Sequence, residues 1–135
     1  MQTTQILTST TQWSNADLKA PNALIVVLAQ GALSLVIPIQ LTMQLVFGTN
    51  VFTNAPTLTV HYTTGVLNVI TPSASFWQAG NNQIYQTTFF GGDNQESTIT
   101  NKNTTLQLST GLTGNAGNDN VVNVVFRYYV ITFNV

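Results

Sequence analysis

Few residues in this chain could carry out acid–base chemistry. Its 135 residues include one histidine, four carboxylates, three basic side chains and no cysteine. General acid–base catalysis usually requires a positioned histidine or two carboxylates brought close together. His61 has no acidic residue near it in the sequence, and no GxSxG nucleophile motif is present. The sequence therefore predicts a protein that is not an enzyme; a glycan hydrolase using Asp93 and Glu96 is the weaker alternative.

Two short segments collect side-chain oxygens that could bind a cation. They are residues 93–96, with the sequence Asp-Asn-Gln-Glu, and residues 118–120, with the sequence Asn-Asp-Asn. Calcium takes six to eight oxygen ligands, frequently from loops. Because neither segment has the ligand spacing of a known calcium loop, both are interpreted as solvated turns. We predict no metal and no cofactor, with a cation at Asp93 or Asp119 as the open alternative.

The low charge of the chain restricts its partners. Only 5% of the residues are charged and the formal net charge is −1, whereas an ordinary soluble domain has roughly 25% charged residues. Nucleic acids and anionic membranes bind clustered Lys and Arg, which are absent here. Proteins near zero net charge tend to associate. We therefore expect no nucleic-acid or membrane partner, and a surface largely covered in a homo-oligomer or a larger assembly.

Hydrophobic periodicity predicts strands. Residues 23–47 lack charge and are long enough to span a bilayer, but from Ile39 to Phe47 apolar and polar residues alternate with a period of two. That pattern favours strands, with Gln30-Gly31 and Pro38 as breaks or bulges. The nearest helix candidate, residues 14–19, is stopped by Pro21 within two turns.

Similar short strands, separated by turn signals, recur to the end of the chain. This spacing predicts an all-β fold, either a single antiparallel β-sandwich or a jelly-roll-like barrel. We assign residues 1–20 to an N-terminal arm, partly extended, and residues 21–135 to one β-sandwich domain.

The last predicted strand, residues 121–133, is apolar on both faces. A strand with one wet face would alternate apolar and polar residues, so this strand should be central and covered on both sides, with a neighbouring subunit covering the second face. Arg127 lies within that second face and should reach solvent or pair across the contact, because an unpaired buried guanidinium is costly. The predicted subunit interface consists of Val125, Arg127, Tyr129, Ile131 and Phe133.

Aromatic residues are concentrated between Pro72 and Gly92, beside several amides. Aromatic rings beside amides are typical of carbohydrate-binding surfaces, and aromatic residues also anchor subunit interfaces and cores. The sequence favours an interface or a core and leaves a glycan-binding surface as the alternative. The candidate ligand or partner surface consists of Phe76, Trp77, Tyr85, Phe89 and Phe90.

Four segments together carry a resemblance to a known class of proteins. They are Lys19–Leu28, Thr57–Tyr62 (TLTVHY), Asn101–Leu108 (NKNTTLQL) and Val124–Ile131 (VVFRYYVI), the last preceded by a Gly/Asn/Asp loop. This order over residues 20–133 resembles the small β-sandwich structural proteins of tailed bacteriophages, of the head-decoration, head-fibre or minor virion type. The segment near Trp77 is longer than in those proteins.

The resemblance implies a virion component without catalytic residues. Such a protein would form homo-oligomers, often trimers, and would dock on the major capsid protein or another virion protein. A receptor- or glycan-binding module of a phage tail or fibre is the alternative that the resemblance leaves open.

Overall fold

The computed structural model describes residues 5–62, 65–89 and 101–133. Eight strands and two short helices occur among these residues. The strands are β1 (Leu7–Trp13), β2 (Leu24–Val27), β3 (Ser34–Val46), β4 (Leu58–Tyr62), β5 (Gly65–Ile70), β6 (Gln83–Thr88), β7 (Thr104–Leu108) and β8 (Val121–Thr132). The helices are α1 (Asn15–Lys19) and α2 (Ala74–Trp77).

The strands form two antiparallel sheets of four strands each. Sheet 1 has the order β1-β8-β3-β6 and sheet 2 has the order β2-β7-β4-β5. Within the sheets, β1 pairs with β8, β2 with β7, β3 with β6 and β4 with β5, as in one long hairpin rolled up on itself. The predicted all-β sandwich is confirmed. Among the described residues both sheets end in edge strands, so the two sheets do not close into a barrel.

The core lies between the two sheets and is built from alternate residues of their strands. In β8, Val122, Val124 and Phe126 are fully buried, and Leu58 and Val60 of β4 face them from sheet 2. Burying such side chains contributes roughly 1.5–3 kcal/mol each to stability. The largest fully buried side chains include Trp13, Trp77, Tyr62 and Phe52.

The segment predicted as an N-terminal arm is extended over Leu7–Trp13, where it forms β1 and pairs with β8. Trp13 and, in α1, Leu18 are fully buried. Residues 7–19 are thus integrated into the sandwich, because their apolar side chains complete its core.

A β-bulge in β3 reverses the face to which its apolar residues point. The register with β8 shifts between Pro38 and Gln40, at the position predicted as a break or bulge. Before the shift Ser34 and Val36 are buried, and after it Leu41 and other odd-numbered residues are buried. The inserted residue moves each side chain that follows to the opposite face.

Helix α1 begins where the sequence predicts it. The Ser14 hydroxyl accepts a hydrogen bond from the backbone N–H of Asp17 and caps the helix. Helix α2 was not predicted; it carries Phe76 and Trp77 into the core. In the part of the chain that the structure describes, neither helix has the length and hydrophobicity needed to cross a membrane.

Candidate functional site: the outer face of sheet 1

The outer face of sheet 1 consists of uncharged polar and apolar residues and carries almost no charge. Sheet 2 covers the inner face, and the alternate residues of all four strands point outward. Among the outward residues of these strands, Arg127 is the one that carries a charge. The outward residues of the four strands are Thr8, Thr10, Gln12, Leu35, Ile37, Gln40, Thr42, Gln44, Val46, Ile84, Gln86, Thr88, Val121, Asn123, Val125, Arg127, Tyr129 and Ile131.

One end of this face is apolar. Ile37 is paired with Tyr129 and Leu35 with Ile131, and the Phe133 amide donates to the Leu33 carbonyl over 2.9 Å. Leu33, Ile131 and Phe133 are 42%, 37% and 47% exposed. Because single exposed apolar residues are ordinary and contiguous ones indicate contact surfaces, this group is a candidate docking surface. The apolar ribbon is defined as Leu33, Leu35, Ile37, Tyr129, Ile131 and Phe133.

The other end of the face carries a row of amides held in place by hydrogen bonds. The Gln12 amide donates to the Asn123 side-chain oxygen over 3.0 Å, and the Asn123 amide donates to Gln44 over 3.2 Å. These bonds connect β1, β8 and β3 across the sheet. The amides are thereby ordered before any partner arrives, which reduces the entropy lost on binding.

Arg127 lies between the amide row and the apolar ribbon. Its register partners are Thr8 on β1 and Gln40 on β3, and its side chain is exposed. Among the described residues no carboxylate forms an ion pair with it. The guanidinium therefore reaches solvent, which is one of the two arrangements predicted from the sequence.

All the residues of the predicted subunit interface share this outer face: Val125, Arg127, Tyr129, Ile131 and Phe133. The structure shows β8 as a central strand, paired on both sides by β1 and β3. Within the single chain, sheet 2 covers one face of β8 and leaves this second face open. A subunit contact there stays a prediction.

The aromatic segment is located differently from the predicted ligand or partner surface. Trp77 is fully buried and Phe76 is 4% exposed, with their ring centroids 4.9 Å apart in an edge-to-face arrangement. Tyr85 and Phe89 are partly buried against the same core, and Phe90 lies outside the described residues. Placing Phe76 and Trp77 on a surface is therefore wrong, because α2 turns both rings inward, as the core alternative anticipated.

His61 lies on the outer face of sheet 2 without a carboxylate beside it among the described residues. Its Nδ1 is 2.9 Å from the Tyr62 carbonyl oxygen and its Nε2 is 3.0 Å from the Thr105 hydroxyl. Both ring nitrogens are engaged in structural hydrogen bonds. Among the described residues, the groups bonded to the imidazole are thus a carbonyl and a hydroxyl.

Asp119 is bound by protein donors. Its carboxylate accepts hydrogen bonds from the Thr49 hydroxyl at 2.9 Å, the Thr49 amide at 3.2 Å and the Asn115 side-chain amide at 3.0 Å. The Asn115 hydrogen bond is the main cause that lowers the pKa of Asp119, with smaller contributions from Thr49 and an opposing effect of burial. The Asp119 oxygens therefore hold the loop before β8 against Thr49.

In the described residues, no group of three side chains of the metal-binding types comes together. Asp93, the other predicted cation position, lies outside the described residues.

A groove of about 570 Å³ lies between β1 and β2 at one side of the sandwich. The Ser9 hydroxyl connects the two strands there by donating to the Val26 carbonyl. Both walls are edge strands. Sequence reasoning missed this groove, since the small inward residues of β1 look like any polar stretch of a strand. Its lining includes Thr8, Ser9, Thr11, Ile25, Leu28 and Tyr128.

Comparisons with known proteins identify no relative by sequence. No protein-family model matches the chain, and no curated protein matches it. Among solved structures, a chain described as "Cyanophage Pam1 capsid asymmetric unit" aligns with a TM-score of 0.47 and 19% identity, covering 93% of this chain and 84% of that chain. A chain of "KBV activated particle at acidic pH" aligns with a TM-score of 0.36 and 10% identity, covering 98% of this chain and 71% of that one. These similarities are too low to assign the chain to a family.

Proposed function

We propose that this chain is a structural protein of a virus particle, of the capsid-decoration or head-fibre type. It acts by associating with copies of itself and docking on the particle through the outer face of sheet 1. The observation that carries this proposal is the apolar ribbon, in which Leu33, Ile131 and Phe133 are exposed and the other three residues are half-buried. It lies at one end of a four-stranded face on which Arg127 is the one charged residue. Such a face is suited to burial against protein, because almost no charge has to be desolvated.

The order of the strands is consistent with this function. Pairing of β1 with β8, β2 with β7, β3 with β6 and β4 with β5 is the pairing expected of a jelly roll. Jelly rolls occur in viral capsid proteins, lectins and cupins. A fold shared by several functions does not choose among them. The choice is supported by the surface and by the resemblance of residues 20–133 to phage structural proteins.

The partners follow from the same reasoning. The outer face of sheet 1 would bind a second and a third copy, a trimer being the form common among the proteins that the chain resembles, and the major capsid protein or another virion protein. The contact residues would be Val125, Arg127, Tyr129, Ile131 and Phe133, with the β3 half of the apolar ribbon beside them. The protein would then be located in the virion and have no catalytic role.

A glycan- or receptor-binding module receives less support. That alternative depends on aromatic rings available for stacking on a sugar, and Phe76 and Trp77 are buried. Tyr85 and Phe89 are partly buried against the core. Binding of the folded chain in a glycan array would nevertheless favour the glycan-binding module over the virion structural protein.

Self-association of the purified chain tests the proposal. Ile131→Lys and Phe133→Lys each place a charge on the apolar ribbon, and Val69→Lys is the matched control, since Val69 is 64% exposed on the other sheet. Sedimentation velocity should show an assembled wild type and control, and smaller species for the two ribbon variants. A wild type that stays monomeric at high concentration and low salt would overturn the proposal.

A further inference from the structure

Among the described residues, strand β1 pairs with β8 on one side and with no strand on the other, and its free edge lacks the devices that usually protect one. It is seven residues long, and its pairing with β8 has no register shift. Exposed edges are normally shortened, bulged, or marked by charged residues or proline. The sequence of β1, Leu-Thr-Ser-Thr-Thr-Gln-Trp, contains neither a charged residue nor a proline. Nothing in β1 itself therefore opposes the addition of another strand.

The edges of sheet 2 differ from β1 in this respect. β2 has four residues, and its register shifts between Ile25 and Val27. β5 carries a shift opposite Val60 and His61 of β4. Bulges of this kind twist an edge and terminate pairing, so these edges are less suited to accept a strand.

An open groove lies beside β1, where the Ser9 hydroxyl donates to the Val26 carbonyl of β2. Ser9 and Thr11 occupy inward-facing positions between the larger Leu7 and Trp13, and the groove of about 570 Å³ runs along them. The Thr11 hydroxyl is buried and has no hydrogen-bond partner among the described residues. Across the groove, Ile25 and Leu28 are 45% and 66% exposed. Buried polar atoms are normally paired, and neighbouring exposed apolar side chains indicate contact surfaces, so this side of the sandwich is a candidate for a further contact.

The outward side chains of β1 are compatible with pairing to a copy of themselves. Thr10 is the central residue of the strand, with Thr8 and Gln12 on either side on the same face. In an antiparallel pair in full overlap, Thr10 lies opposite Thr10 of the second copy, and Thr8 lies opposite Gln12. Thr–Thr pairs across strands are favourable, and no like charges face each other. A two-fold axis satisfies both copies at once and closes the assembly.

We infer that a second copy of this chain adds its β1 antiparallel to this β1, about a two-fold axis through Thr10. The two copies of sheet 1 would then form one continuous sheet of eight strands, and the side chains of each β1 would lie beside the groove of the other. This inference rests on the proposed self-association. It concerns an edge of sheet 1 and not its outer face, so both contacts can exist in one assembly.

Disulfide trapping tests the inference, because the chain has no cysteine of its own. Directly opposite residues in antiparallel strands have Cα atoms about 4.5–5.5 Å apart, within the roughly 4.4–6.8 Å that a disulfide spans. Thr10→Cys alone should therefore yield a covalent dimer under mild oxidation, seen on a non-reducing gel. Thr8→Cys alone should not, since its two copies would be offset by four residues, about 13 Å. The double variant Thr8→Cys/Gln12→Cys should cross-link again.

Two further results would contradict the pairing of β1 with the β1 of a second copy. Absence of a dimer from both Thr10→Cys and the double variant would exclude β1–β1 pairing. Cross-linking of Thr10→Cys to Thr88→Cys, and not to itself, would show instead that β1 pairs with β6 of the next copy.

In reversible association, Thr10→Lys should raise the dissociation constant up to about fivefold, the effect of like charges directly opposite. Ser75→Lys, at an exposed position of α2, should leave the dissociation constant unchanged.

The two contacts are separated by combining variants. Thr10→Cys in an Ile131→Lys background should still cross-link if the β1 edge acts independently of the outer face. If ribbon variants reduce association while Thr10→Cys does not cross-link, the β1 inference fails and the proposed function stands. A wild type that stays monomeric, with no cross-link from any cysteine variant, would contradict both the proposed function and the β1 inference.

Discussion

The side-chain amide of Asn15 donates a 2.7 Å hydrogen bond to the side-chain oxygen of Asn115, which joins α1 to the loop before β8. The same Asn115 oxygen accepts the backbone amides of Asp119 and Asn120, each at 3.0 Å. The Asn115 amide in turn donates to the Asn50 carbonyl over 2.7 Å. One buried side chain thus fastens three segments of the chain at one end of the sandwich.

Replacing Asn115 should destabilise the fold strongly. Asn115→Ala leaves buried donors without an acceptor, and each such group costs about 1–3 kcal/mol. Asn115 also has a φ of 49°, a left-handed conformation that asparagine adopts more readily than alanine. We expect a loss of about 3 kcal/mol in the free energy of unfolding by urea denaturation. The exposed Asn81→Ala should change it by less than about 0.5 kcal/mol, and equal losses in both variants would contradict the role of the network.

The stability of the protein should fall in acid, in part through Asp119. Hydrogen bonds, chiefly from Asn115 and then from Thr49, lower the pKa of Asp119 below its ordinary value, against a smaller opposing effect of burial. A carboxyl whose pKa is lower in the folded state stabilises the fold above its unfolded pKa, and this contribution is lost as the pH falls through the folded pKa. Asp17, whose pKa is lowered by Asn22 and then Ser14, acts in the same direction.

Urea midpoints measured at pH 7 and at pH 3 and below should therefore differ less in Asp119→Asn than in the wild type. The Asn variant keeps the size of the side chain and removes the charge. An unchanged pH dependence in this variant would show that the Thr49 and Asn115 hydrogen bonds do not favour the ionised carboxyl.

Trp77 should be required for folding and not for recognition of a ligand. It is fully buried against Phe76, and removing a ring of this size typically costs about 3–5 kcal/mol. Trp77→Ala should lower the free energy of unfolding by that amount. Trp77→Phe should cost markedly less, because the Trp77 indole N–H has no hydrogen-bond partner among the described residues. A Trp77→Ala variant of wild-type stability would place this ring outside the core.

Arg127 should affect association more than folding. Its side chain is exposed between Thr8 and Gln40, and surface substitutions usually change the free energy of unfolding by less than about 0.5 kcal/mol. If the outer face of sheet 1 is the docking surface, Arg127→Ala should raise the dissociation constant of self-association about fivefold or more, as for interface arginines. Lys102→Ala, which removes the same charge elsewhere, is the control. An unchanged sedimentation profile for Arg127→Ala would exclude this arginine from the contact.

The alternation of residues predicted the strands well because period two directly reflects which side chains face the core. It did not predict the inner face of the first half of β3. At the start of β3 and just before it, Leu35 and Leu33 look like core residues, yet Ser34 and Val36 are the buried ones. The bulge after Pro38 decides this, since one inserted residue exchanges the two faces of a strand. Proline indicates where a bulge is tolerated, and pairing with β8 determines which side of it turns inward.

The candidate site shows the same limit. Tyr129 and Ile131 were correctly placed together on one face of β8, because residues two apart in a strand share a face. Their neighbours Leu35 and Ile37 come from β3, and no local pattern reveals that β3 lies beside β8. The predicted surface position of the aromatic segment was wrong because its sequence does not show which way the rings point. A run of rings and amides looks the same whether a short helix turns the rings into the core or leaves them on the surface.

Tyr62 connects the two sheets and should ionise late. Its hydroxyl donates to the Val36 carbonyl of β3, and burial, followed by the charge of Tyr129, raises the pKa of Tyr62 to about 12. Since the neutral phenol is favoured in the folded state, this residue stabilises the fold fully below its unfolded pKa of about 10. The contribution is lost as the pH rises from there through the folded pKa. In an absorbance titration, one of the four tyrosines should ionise near pH 12 or only on unfolding, and this step should be absent in Tyr62→Phe. The same variant leaves the Val36 carbonyl without its donor and should lose about 1–2 kcal/mol at pH 7; a late step that persists in it would assign the buried phenol to another tyrosine.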